Sequence, residues 1–290
     1  MAQPEFDHQK LDIKPRHMDF PFGSLKKLKF FSDNIYKSSF MAGLSASFPL
    51  GEAEFLDSVR NFRDKIENPD LKQQVKGFIG QEAHHSRQHQ FVNSELDRLG
   101  YRTDKIEKDL KKEIAKLVAK QSQQFRLAYT VCAEHITAIM AEYALNEPAF
   151  LEGMDAPMKD LLLWHSVEEI EHKSVAFDVY MDVVGDVKYL NKTMKIAIIV
   201  MHLHFTQRMF KLAFNTKHWA SFKEFGGFLS WMFGKGGMWR SLRQPYKTFY
   251  KKGFHPWDNG GLELVEKWQR EYAQPEQNKA SAEYQMAHPA

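Results

Sequence analysis

Two short runs constrain this chain more than anything else in it: Gln81-Glu82-Ala83-His84-His85 and the stretch from His165 to His172. Each places ionisable groups where a helix packing into a core needs apolar ones. Leu71, Val75, Phe78 and Ile79 recur every three or four residues and mark one helical face, and Glu82, His85 and His89 continue it. His165, Glu169 and His172 fall in the same way between Leu162 and Ala176. Two other periodic segments each offer one inward carboxylate. Glu52 shares its face with Phe55, Leu56, Val59 and Ile66, whereas Glu54 lines up with Asp57, Ser58, Asn61 and Lys65 and is expected outside. Glu134 aligns with Leu127, Val131, Ala138 and Ala141, and ranks above Glu142, which follows His135 and Ile139.

A buried, uncompensated carboxylate costs on the order of several kcal/mol. No inward lysine or arginine is expected to offset four of them, but two divalent cations do so, with histidines completing the coordination without added charge. One glutamate from each of two helices and Glu-x-x-His from each of two others is the ferritin-like dimetal pattern. The expected ligands are Glu52, Glu82, His85, Glu134, His165, Glu169 and His172, holding two metal ions, iron first and manganese or zinc as alternatives. His89 lies one turn beyond His85 and is expected to brace a ligand, with a role as an extra ligand as the alternative. Glu168, Glu171, His84 and His135 are expected at the surface or behind the ligands, and Tyr129, Trp164 and Cys132 in ordinary core. Glu5-Phe-Asp-His8 has the same spacing but no apolar stripe around it.

The fold expected is all-α: a ferritin-like four-helix bundle with additional carboxy-terminal helices. Residues 1–30 read as an irregular, proline-punctuated arm, 31–186 as the dimetal bundle, 187–260 as a basic, aromatic-rich helical extension packed on it, and 261–290 as a polar tail. The first bundle helix is expected to be interrupted at Pro49 and Gly51. Asp70 is expected to cap the second, Gly100 to stop it, and a bend near Gln121–Gln124 to divide the third. Cys132 is the only cysteine, which excludes an internal disulfide framework or a cysteine-rich zinc site. The start of the chain lacks a basic leader with an apolar stretch, so a cytoplasmic location is expected, with peripheral attachment to the inner membrane as a variant.

The segments FPLGEAEFLDSVR, FIGQEAHHSRQH, CAEHITA, WHSVEEIEHKSVAFDVY and GFHPWD resemble the bacterial family named "predicted metal-dependent hydrolase", over roughly residues 20–257. The resemblance implies a ferritin-like fold and places the seven ligands at the positions given above. The ligand pattern, with its extra histidine at His165, is also similar to that of the p-aminobenzoate N-oxygenase family, where a dinuclear iron centre activates dioxygen. Two enzymatic readings follow. The first is a non-haem di-iron oxidoreductase, fed by an electron donor, acting with dioxygen on a largely apolar small-molecule or acyl substrate; the second is a two-metal hydrolase of an ester, amide or phosphate bond. Metal storage is a third reading.

Charge divides the chain unevenly. Residues 187–254 carry thirteen lysines and arginines against one glutamate, a net +12 in a chain whose total is +3. Met194–Phe205 is apolar but shorter than the roughly 20 residues that span a bilayer, and is expected to form a helix that closes a pocket with Met201 and Phe205. His202 and His204 cannot share a helical face. Farther on, Trp231, Phe233, Trp239, Tyr246, Phe249 and Tyr250 interleave with Lys235, Arg240, Arg243, Lys247, Lys251 and Lys252. That texture suits an anionic membrane surface or an acyl carrier, or a cap packed on the bundle; no nucleic-acid module is present.

Overall fold

A computed structural model describes residue 8, residues 11–218 and residues 221–272, the last two without their side chains. The protein is all-α, and among the described residues the only β feature is a bridge between Phe31 and Met154. The helices run α1 Ile35–Ser45, α2 Phe48–Arg60, α3 Pro69–Arg98, α4 Thr103–Lys120, α5 Gln123–Asn146, α6 Ala156–His172, α7 Val175–Val183, α8 Val187–Asn215, α9 Phe222–Phe233, α10 Met238–Ser241, α11 Arg243–Thr248 and α12 Leu262–Tyr272.

Several boundaries differ from the sequence expectation for local reasons. Pro49 does not interrupt a helix but begins one, because α2 starts at Phe48 and a first-turn proline gives up an N–H that has no partner there. Asn68, not Asp70, caps α3: its side chain accepts from the N–H groups of Asp70 and Leu71. The fourth periodic stretch is two helices, α6 and α7, parted at Lys173-Ser174 immediately after His172. Two expectations agree: Gly100 follows α3 with φ +107°, and Ser122 caps α5 after the break at Gln121. In the stretch read as a polar tail, Leu262–Tyr272 is helical, and residues 273–290 lie outside the described residues.

Helix α5 packs against α2, α6, α7 and α8, while α3 packs on α2, α6 and α7. Along these helices the core is divided in two. On α3, Val75 and Phe78 belong to one apolar cluster and Val92 and Leu96 to the other; on α5, Leu127–Ile136 and Ile139–Ala144 divide in the same sense. Glu82, His85, His89, Glu134 and Thr137 fall at the seam, so a polar layer crosses the bundle between two apolar halves.

The amino-terminal arm is fastened to that seam. Gln74, Gln81 and Gln88, spaced at seven residues along α3, donate to the backbone carbonyls of His8, Lys14 and Met18. Gly77 permits the approach, since a Cβ there would be driven into the Ile13 carbonyl. No helix of the described residues is long and apolar enough to cross a membrane.

A buried carboxylate and histidine centre

The seven expected ligands converge from α2, α3, α5 and α6, and all are buried. Their side-chain atoms form three overlapping groups: Glu52, His85 and His165; Glu82, His85 and Glu169; and Glu82, Glu134 and His172, each drawn together within 4.8 Å. His172 Nε2 lies 3.0 Å from Glu82 Oε1, 3.5 Å from Glu134 Oε2 and 3.8 Å from Glu169 Oε1. His165 Nε2 lies 2.8 Å from Glu169 Oε1 and 3.7 Å from Glu52 Oε1. Glu52 is steadied by Ser86 Oγ at 2.8 Å and Glu169 by Thr137 Oγ1 at 2.6 Å.

The hydrogen bonds behind the histidines decide which ring nitrogens face inward as lone pairs. Asn93 donates its amide to the Ser45 carbonyl, so its oxygen takes the Ser45 hydroxyl proton at 2.7 Å. Ser45 Oγ is then the acceptor for His89 Nδ1–H at 2.9 Å, and His89 Nε2 accepts from His165 Nδ1–H at 2.8 Å. That leaves a lone pair on His165 Nε2, aimed at two carboxylates. Gln81 donates to Glu171 and to the Lys14 carbonyl, so its oxygen accepts from His172 Nδ1–H at 2.9 Å, and His172 Nε2 is likewise left bare. His85 turns Nε2 toward Glu168 Oε2 at 3.1 Å and Nδ1 toward Glu82 Oε1 at 3.6 Å.

Lone pairs and carboxylate oxygens confronting one another in a dry core repel unless a cation or shared protons lie between them. Glu52 Oε1, both Glu82 oxygens, Glu134 Oε2 and His172 Nε2 are buried without a hydrogen-bond partner. The acidities show the same conflict. Burial, with Glu82 close by, pushes Glu52 well above the ordinary carboxylate range, and burial with Glu169 and Glu82 does so for Glu134. Burial opposes ionisation of Glu169 too, but protons shared with His165 and His172 outweigh it and hold Glu169 well below that range, while, against its burial, His172 is raised well above the usual histidine range by Glu169 and Glu82. His89 is driven well below the usual histidine range by burial and by His165, in keeping with a neutral ring that braces its neighbour.

Buried cations exist, contrary to the sequence expectation, but they neutralise other carboxylates. Arg126 pairs with Glu54, at 2.6 Å, and with Asp57; Lys173 pairs with Glu142 at 2.7 Å, and Arg208 with Glu113 at 3.1 Å. Glu54, expected outside, is therefore buried with a partner. Of the two places expected for Glu168 and Glu171, they take the one behind the ligands: both are buried and both are held by Arg16 of the amino-terminal arm. His135 is packed against Phe249 and Phe254, and its burial lowers its pKa to about 3. His84 is half-buried, edge-on to His17. Trp164 and Cys132 are core as expected, but Tyr129 stands on a cavity wall.

Sequence periodicity missed Arg16, Gln81 and Ser45, because none belongs to a stripe that announces it. Arg16 holds Glu171, which holds Gln81, which fixes His172; through Glu168 it also reaches His85. Arg16→Ala is expected to weaken metal binding about 10–100-fold, the range seen when such supports are lost, with helix content by circular dichroism unchanged. Unaltered affinity in a metal titration would show that the arm does not position these histidines.

Fold and site together define an all-α protein with a buried carboxylate–histidine site suited to metal. The chain belongs to the family described as predicted metal-dependent hydrolase, whose model matches residues 14–260. No curated protein and no solved structure matches it.

Proposed function

We propose that the protein is a dinuclear metalloenzyme acting on a largely apolar small molecule, with Glu52, Glu82, His85, Glu134, His165, Glu169 and His172 as ligands in a ferritin-like arrangement. The observation that carries this reading is the set of inward histidine lone pairs facing unpartnered carboxylate oxygens. Glu52, His85 and His165 would serve one ion and Glu82, Glu134 and His172 the other, with Glu169 in reach of His165 and His172.

The family description supports hydrolysis as the reaction. Metal ions bound there supply Lewis acidity for attack by water on an ester or amide, or, as iron, electrons for reducing dioxygen. The remaining work belongs to the chain: Ser86 and Thr137 orient Glu52 and Glu169, the Ser45–Asn93–His89 chain sets the His165 tautomer, and the two apolar core halves exclude water. Dioxygen-dependent oxidation is the second reading, favoured by one observation: a cavity of about 300 Å³ beside Glu52 and Thr137 is walled mainly by apolar side chains, Met201 and Phe205 of α8 among them. Turnover of nitrophenyl esters under anaerobic conditions with zinc or manganese tests the first reading. Oxygen consumption by the reduced iron form without ester turnover would replace it with the second.

Delivery of an apolar substrate from an anionic membrane surface or acyl carrier is a further proposal, supported by Phe233, Tyr250, Lys235, Lys251 and Lys252, all exposed. Phe249 is buried and Trp231 is stacked on Phe150, so these two serve the packing. Failure to sediment with anionic vesicles at low salt would remove the membrane as that source.

A further inference from the structure

The cavity is mainly apolar; besides Gln121, Tyr129 and Glu54, the last neutralised by Arg126, its polar lining includes a cluster around Arg208. Its apolar wall includes Leu110, Ile114, Leu117, Phe125, Val200 and Met201, a lining that offers nothing to a sugar or a nucleotide base. Against it stand Ser47, Glu113, His204 and Arg208, while Glu52 and Thr137 connect the cavity to the carboxylate and histidine centre. Arg208 is 8% exposed, unusual for a cation beside an apolar cavity. It donates to Ser47 Oγ at 2.7 Å and to Glu113 Oε2 at 3.1 Å, which leaves the rest of its five-donor fork available. Burial lowers its pKa, so Glu113 does not fully offset the loss of water. Glu113 is itself 40% exposed on α4 and can exchange this partner for solvent. His204 approaches Glu113 at 3.8 Å, and its own burial keeps it toward the neutral form.

We propose that this cavity binds an amphipathic monocarboxylate, a fatty-acid-like molecule whose carboxylate is taken by Arg208 and whose hydrocarbon body lies along the apolar wall toward Glu52. A guanidinium fork matches a carboxylate in two parallel hydrogen bonds, and at a desolvated site such charge-assisted bonds are strong. A neutral hydrocarbon would leave Arg208 facing apolar atoms, and an amine would meet it as a like charge. This inference rests on the dioxygen-dependent reading of the proposed function, since the hydrocarbon body turned toward Glu52 holds no bond for water to cleave, but binding itself does not require metal.

Isothermal titration of the full chain, metal-free and metal-loaded, with octanoate and with 1-octanol is the test. Octanoate is expected to bind at least about tenfold more tightly than octanol, the lower end of what a hydrogen bond to a charged group contributes. Arg208→Gln is expected to erase that preference. Glu113→Gln, at a partly exposed position that leaves the fold intact, is expected to strengthen octanoate binding several-fold by removing the competing carboxylate. Equal affinity for the two ligands, no binding of either, a preference that survives Arg208→Gln, or weaker octanoate binding in Glu113→Gln would each overturn the proposal. A lower melting temperature of Arg208→Gln with its preference intact would make Arg208 a purely structural tie. Metal content, measured on the same samples, reports separately on the dimetal reading.

Discussion

The double variant Glu82→Ala, His172→Ala is expected to lose one of the two metal ions outright and to hold the other only weakly, while remaining folded. Glu82 belongs to two of the three donor groups, and His172 Nε2 lies against Glu82, Glu134 and Glu169, so the group around one ion is destroyed and only Glu52, His85 and His165 survive around the other. Activity should fall to background. The metal-free variant should melt no lower than the metal-free parent, because it discards a buried carboxylate that has no hydrogen-bond partner on either oxygen. Retention of two metals per chain would move the site elsewhere.

Metal removal from the parent is expected to have the second large effect. Chelation leaves the four glutamates and the histidines to share protons in a dry core. A ligand present at about a thousandfold excess over its Kd stabilises by about 4 kcal/mol, which corresponds to a fall of about 8–16 °C in melting temperature on its removal from a chain of this size. The pH dependence follows from His85. Burial alone would depress its pKa, but Glu168 and Glu82 outweigh burial and push it up to about 10. In the metal-free protein His85 therefore carries a proton at neutral pH that a metal must displace, so affinity should rise with pH, by about tenfold per unit for each proton released, until the pH passes about 10. Affinity that is flat between pH 6 and 8, or that falls as pH rises, would show that His85 is not a ligand. Differential scanning calorimetry and metal competition titrations read the two effects.

The seven converging side chains were legible in the sequence because helical periodicity states directly which residues share a face, and Glu82, His85, Glu169 and His172 break an apolar stripe where chance has little reason to. The α5 break at Gln121 and the turn at Gly100 were legible because serine caps and positive-φ glycines act locally. What escaped lies in contacts distant along the chain. Arg16 meets Glu168 and Glu171 across more than 150 residues, and nothing near Arg16 signals that its arm runs along α3. Glu54 looked exposed because its own helix gives it polar neighbours; it is Arg126 of α5 that makes its burial tolerable. The polar corner around Arg208 escaped for the same reason, since Ser47, Glu113 and Arg208 come from three separate parts of the chain.

The central claim is that this bundle holds two metal ions, and elemental analysis of freshly purified protein, repeated after reconstitution with excess ferrous iron, manganese or zinc, tests it most directly. Two ions per chain in the parent, and no more than one in the Glu82→Ala, His172→Ala variant, is the result expected. A parent protein that retains no more than one ion per chain after reconstitution with each of these metals would contradict the account.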